Sequence, residues 1–266
     1  MKKLIAALLC LMCVFSLAMA ESFKVGMECD YAPFNWTQAE PSEYTVPISG
    51  GGYADGYDVQ IAKRIADGLG LELTIVKTEW DGLPMGVMSG KLDAIIAGMS
   101  PTSERKLSID FSDRYYTSDL VIVVRKDGAY ANARSLADFS GAKITGQLNT
   151  FHYTVIDQIP GVKKMTAMDT FPAMIVALNA GSIDGYISER PGAVSAQVSN
   201  PSLTYIAFDE GNGFVTENPD DTAIAVGLKK GSDELREKIN AILAQIPQEE
   251  REQIMKDAVS RQPVNN

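Results

Sequence analysis

The chain has 266 residues, with 24 Lys+Arg against 34 Asp+Glu and a formal net charge of −10 at pH 7. That acidity disfavours nucleic acid and anionic lipid as partners. Three cysteines, two of them in the first 20 residues, and a single histidine leave no internal disulfide, no cysteine metal cluster and no multi-histidine zinc site in the rest of the chain.

The N-terminus reads as an export signal. Lys2 and Lys3 precede an apolar run over 4–17, and Ala18-Met19-Ala20 supplies the small-x-small pattern for cleavage after Ala20. The run is shorter than the roughly 20 residues a bilayer span needs. Cys10 and Cys13 follow Leu9 and Met12, not the small residue of a lipoprotein site. Residues 21–266 then have the size of one large or two medium domains.

Strands and helices alternate from there. Phe23-Lys24-Val25-Gly26-Met27 reads as a strand. Residues 35–56, with Pro41, Pro47 and Gly50-Gly51-Gly52, break the rhythm and read as a long hairpin or surface loop without catalytic content. The spacing of Val59, Ile61, Ala62, Ile65, Ala66 and Leu69 predicts an amphipathic helix that stops at Gly70. A strand over 71–76, a helix from Pro84 to Gly90 and a buried strand over 92–97 follow, so the fold class is α/β with a largely parallel sheet.

An internal echo extends this reading. Ser89-Gly90-Lys91-Leu92-Asp93-Ala94-Ile95-Ile96 resembles Ala180-Gly181-Ser182-Ile183-Asp184-Gly185-Tyr186-Ile187 at an offset of 91 residues, and Trp80 falls on Phe171 at the same offset. Two similarly built lobes follow, with Gly98 and Glu189 at equivalent strand ends, where open α/β sheets bind ligands.

Two charged residues stand at these ends. Arg105 follows Ser100-Pro101-Thr102-Ser103-Glu104, where Ser100 or Thr102 can cap a helix whose free amides attract an anion. Its planar fork suits a carboxylate, although an ordinary surface pair with Asp110 or Asp113 reads equally well. Glu189 ends a buried strand and needs a positive partner, either Arg190 or the ammonium of a ligand. Tyr31-Ala32-Pro33-Phe34 and Trp80 supply aromatic faces for a cleft or, more ordinarily, for a core.

The ordered set Tyr31-Ala32-Pro33-Phe34, Gly56-Tyr57-Asp58, Trp80-Asp81-Gly82-Leu83, Lys91 through Met99, Thr102 through Arg105 and Phe111-Ser112-Asp113-Arg114-Tyr115-Tyr116 resembles the amino-acid-binding proteins of bacterial ABC importers, the polar amino-acid branch of solute-binding protein family 3. The resemblance implies a two-lobe periplasmic-binding-protein fold of type II. Residues 21–118 and 221–266 would form lobe 1 and 119–220 lobe 2, with crossings near 117–120 and 216–222 and a tail helix over 233–246 returning to lobe 1. It implies that Arg105 grips a ligand α-carboxylate, helped by backbone near Ser100 and by Thr150. Glu189 would take the α-ammonium, while Tyr31 and Trp80 hold the side chain. Glu28, three before Tyr31, matches an acid found where the side chain is basic, so with Asp58 it ranks arginine first, lysine second, and glutamine or histidine third.

The chain departs from the family pattern at Glu189, usually aspartate, and at Gly98, often serine or threonine. His152 has no role by resemblance. No cofactor is implied; the implied partners are a free amino acid and an ABC permease, met by a monomer. The alternatives are a sensor domain that reports to a signalling receptor, and a dehydratase-like enzyme in which Glu189 or His152 acts as acid or base.

Overall fold

Phe23, Val25 and Met27 turn inward from β1 (Ser22–Met27), an interior strand of the lobe 1 sheet. The computed structural model describes residues 21–216 and 218–263, so the expected signal peptide lies outside it. A small antiparallel sheet follows, built from β2 (Asp30–Tyr31), β3 (Asn35–Gln38), β4 (Val46–Pro47) and β5 (Tyr53–Asp55). It is the hairpin expected over 35–56.

Helix α1 (Tyr57–Leu69) ends at Gly70, whose left-handed conformation lets its N–H reach the Ala66 and Asp67 carbonyls. Gly56, just before it, has φ 134°, and a Cβ there would lie 2.2 Å from the Phe34 carbonyl oxygen. Gly56→Ala is therefore expected to cost about 2 kcal/mol or more of stability. Urea denaturation checks this; an unchanged midpoint would show that the Phe34 backbone can move aside.

Lobe 1 continues through β6 (Glu72–Lys77), α2 (Gly82–Met88), β7 (Ala94–Ile95) and β8 (Ile109–Thr117). The strand expected over 92–97 keeps sheet pairing only at Ala94 and Ile95 before the chain turns into the loop that carries Gly98. The chain then enters lobe 2 as β9 (Leu120–Arg125), followed by β10 (Lys143–Thr145), the short α3 (Phe151–Thr154), β11 (Lys163–Lys164), α4 (Phe171–Asn179), β12 (Gly185–Glu189), α5 (Arg190–Ser199) and β13 (Leu203–Ile206). It returns as β14 (Ala223–Lys229) and ends in α6 (Asp233–Leu243) and α7 (Gln248–Arg261). The two crossings touch: Ser118 N–H donates to the Thr222 carbonyl at 3.0 Å.

The sheet orders are β6-β1-β7-β14-β8 in lobe 1 and β11-β10-β12-β9-β13 in lobe 2. Each is mixed. The parallel pairs come from the strand–helix–strand rhythm, and the antiparallel ones from strands that have just crossed between lobes or lie beside one that has.

The echoed aspartates have one structural job in both copies. Asp93 N–H donates to the Lys24 carbonyl at 2.8 Å while its carboxylate accepts from Lys24 N–H at 2.8 Å. Asp184 makes the same two bonds to Lys143, at 2.8 and 2.9 Å. Each carboxylate thus locks a helix-to-strand turn against the first parallel strand of its lobe, which makes Lys24 and Lys143 equivalent positions.

Candidate functional site

The ends of β1, β7, β10 and β12 meet between the lobes, and the loops beyond them supply a closed cleft. Tyr31, Trp80, Gly98, Ser100, Arg105, Gln147, Thr150, His152, Glu189 and Asp221 line a central cavity of about 20 Å³. That is far below the few hundred Å³ typical of ligand pockets, so an amino acid enters only when the lobes part.

Arg105 sits where its segment was expected to begin a helix. Instead the chain makes a single 3₁₀ turn over Arg105–Leu107, with Thr102 Oγ1 accepting from Arg105 N–H at 3.3 Å. Attraction for an anion therefore comes from the guanidinium and local amides, not from a helix dipole. The ordinary surface pair does not form, since Asp110 accepts from Lys230 and Arg105 makes no ion pair among the described residues. Its Nη1 donates to the Ser100 carbonyl at 3.0 Å and its Nη2 to the Asn149 carbonyl at 3.4 Å, while the guanidinium lies 5.0 Å over the Trp80 ring. Burial pushes its pKa down to about 10, which still leaves it cationic at neutral pH.

Glu189 ends β12 at the start of α5. Arg190 turns away and pairs with Asp119. The Glu189 carboxylate instead accepts from the Tyr31 hydroxyl and stands 2.9 Å from His152 Nε2. Burial acts to raise its pKa, but the His152 charge and the hydrogen bonds from His152 and Tyr31 outweigh it and hold the group ionised, below the usual range. The side chain, one methylene longer than aspartate, reaches both partners.

Glu28 and Gln147 meet across the cleft. Gln147 Nε2 lies 3.1 and 3.3 Å from the two Glu28 oxygens and also donates to the Asp169 carbonyl at 3.0 Å. Burial pushes the Glu28 pKa up to about 7; the Gln147 amide opposes this and nearby Asp30, Glu79 and Asp81 add to it.

Asp58, ranked with Glu28 as favouring a basic ligand, is not in the cleft. It is fully buried and accepts from the Tyr115 hydroxyl at 2.7 Å, the Asn35 amide at 2.8 Å and the Gly98 backbone. It braces the Gly98 loop. Gly98 has φ 62°, and a Cβ there would come 3.0 Å from Tyr31 Cε1, which accounts for glycine at this position.

The aromatic arrangement also differs from expectation. Tyr31 stacks on Phe171, with centroids 4.1 Å apart and planes at 10°, while Trp80 lies beneath Arg105. Phe171, Gln147 and Asn149 were not singled out as site residues from sequence, and His152 was named only as an acid or base of the enzyme alternative. Asn149 bridges the lobes, accepting from Trp80 Nε1 at 3.4 Å and donating to Asp81 at 2.9 Å. Only the echo, which aligns Phe171 with Trp80, carried a signal for any of them. Thr150 donates its hydroxyl to the Gln147 carbonyl at 2.7 Å, beside the Arg105 corner.

Residues 23–258 match the family described as bacterial extracellular solute-binding proteins, family 3. ABC transporter arginine-binding protein 1 of Escherichia coli (strain K12) is 28% identical over 252 residues, 92% of this chain and 93% of that protein. A protein of Campylobacter jejuni named a probable histidine-binding protein is 31% identical over 195 residues, 73% of this chain and 70% of its own length. The crystal structure of an amino acid ABC transporter substrate-binding protein from Streptococcus pneumoniae, bound to L-arginine, superposes with a TM-score of 0.78 at 27% identity, covering 90% of this chain and 94% of that one. These relatives are named as binding proteins, and the Streptococcus pneumoniae structure shares the two-lobe architecture. The chain belongs to the bacterial extracellular solute-binding proteins, family 3.

Proposed function

We propose that this protein captures a free basic L-amino acid, arginine ahead of lysine, and delivers it to an ABC importer after export and cleavage behind Ala20. Arg105 grips the α-carboxylate with help from backbone near Gly98 and Ser100 and from Thr150. Glu189 takes the α-ammonium. Tyr31 and Trp80 pack along the side chain, and Glu28 meets its cationic end.

The observation that carries the preference is the charge at that end. Among the described residues Glu28 has only an amide as partner, and the charged groups that add to the effect of its burial are acids: Asp30, Glu79 and Asp81. Lys77 answers Asp30 from the outside, at 3.3 Å, and leaves Glu28 to a partner from the cleft. A guanidinium or ammonium would relieve this crowding, because a buried carboxylate without a cation is expensive. The arginine-binding relative and the arginine-bound neighbour support the same choice.

A thermal-shift screen against the twenty amino acids tests it. A ligand that binds only the folded state raises the melting temperature, by an amount that grows with its affinity. L-Arginine and then L-lysine are expected to give the largest shifts. A larger shift with glutamine, histidine or an aliphatic amino acid would overturn the preference for basic ligands.

A further inference from the structure

His152 lies against the carboxylate assigned to the ligand ammonium. Its Nε2 is 2.9 Å from Glu189 Oε1, while the Tyr31 hydroxyl occupies Oε2. Both His152 and Glu189 are buried, at 7% and 4% exposure. The imidazole stands edge-on to Phe171, with centroids 5.8 Å apart at 82°. Its Nδ1 is buried and has no partner among the described residues.

The groups around it come from every neighbouring element. The end of β12 contributes Glu189, α4 contributes Phe171, and lobe 1 contributes Tyr31 and Arg105, with Asp221 on the same cavity. On its own helix Tyr153 turns away to the Met165 carbonyl. Among the described residues Glu189 is the one anion in contact with the imidazole, and since both lie in lobe 2 this contact does not depend on closure of the cleft, whereas the one to Tyr31 does.

We propose that His152 is a positioning residue of the ammonium subsite: its imidazolium holds the Glu189 carboxylate in the unliganded cleft, and the α-ammonium of the ligand displaces that charge, so that binding drives His152 to its neutral form. This rests on the reading of Glu189 as the ammonium acceptor. Two cations on one buried carboxylate repel each other, and of the two only the imidazolium gives up a proton readily near neutral pH. The proton passes to solvent and no covalent bond changes. The neutral ring still donates from Nε2 to Glu189, and its Nδ1 becomes a lone-pair acceptor for a donor of the ligand.

His152 is the only histidine in the chain, so its ring resonances can be followed without assignment. The test is a pH titration by NMR of the exported chain, free of any histidine tag, alone, with saturating L-arginine, and with saturating 5-guanidinopentanoic acid, which is arginine without its α-amino group. The midpoint of His152 is expected to fall by at least one pH unit with L-arginine and by much less with the analogue. Calorimetry with L-arginine in phosphate and in Tris should show proton release that shrinks in His152→Gln, which keeps a neutral donor. An unchanged or raised midpoint with L-arginine bound, or an equal fall with the analogue, overturns the role of His152 and leaves the functional reading standing. L-Arginine that leaves every resonance in place refutes the functional reading itself, and this inference with it.

Discussion

Replacing Arg105 with alanine should abolish amino-acid binding while leaving the fold intact. The guanidinium is largely buried, makes no ion pair among the described residues, and spends its donors on the carbonyls of Ser100 and Asn149. A carboxylate brought into the closed cleft would be its first anionic partner. Losing one member of such a buried pair costs about 3–5 kcal/mol, or roughly a hundredfold or more in dissociation constant. Stability should change little, because the free protein loses only two bonds to carbonyls and a stack on Trp80. Arg105→Lys should fall between, since it keeps the charge and loses the planar fork. Calorimetry that finds Arg105→Ala within about threefold of the parent would remove Arg105 from the site.

The affinity for L-arginine should rise with pH between 6 and 8, and Glu28→Gln should flatten much of that rise. In the closed cleft burial holds the Glu28 pKa at about 7. A guanidinium placed against it favours the ionised form, so the liganded pKa is lower. Binding then releases a proton, and the sign follows. Above the unliganded pKa the carboxylate is already ionised and affinity is at its plateau. Below it the proton must first leave, and affinity falls by up to about tenfold per pH unit. At pH 8 Glu28→Gln should weaken L-arginine more than about tenfold, because it removes the buried counter-charge, while a neutral amino acid should hardly notice. L-Arginine that binds Glu28→Gln as tightly as the parent at pH 8 would show that Glu28 only braces Gln147.

What the sequence made legible is what local patterning encodes. Helix α1 has the bounds that its apolar spacing and Gly70 indicate. The repeated Gly-x-x-Asp marked a real structural repeat, because the same pair of bonds, one from the aspartate N–H and one to its carboxylate, recurs at Asp93 and Asp184. Arg105 and Glu189 were visible because a lone charge at a strand end needs an explanation. Their surroundings were not. Glu28 meets Gln147 at a separation of 119 residues and Tyr31 meets Glu189 at 158, and no local periodicity reports such contacts. Asp58 was misread because a buried carboxylate that serves a ligand and one that braces a loop have the same sequence signature. Which it is depends on Tyr115 and Asn35, brought in by the fold. The final helix α7 escaped notice because its polar stretch, Gln248 to Gln253, masks the short apolar stripe of Ile254, Met255 and Ala258 that packs inward.

The twin aspartate locks carry a consequence for how this cleft came to bind an asymmetric molecule. If Lys24 and Lys143 are the same place in two copies, then so are Glu28 and Gln147, four residues further along each strand, and these two face each other. Two identical lobes would set like against like at this corner, carboxylate against carboxylate or amide against amide. The first arrangement repels itself and the second has no charge to offer. Carrying both copies on one chain lifts that restriction, because each wall can change without altering the other. One wall then carries an acid while the opposite wall supplies the amide that meets it when the cleft is closed.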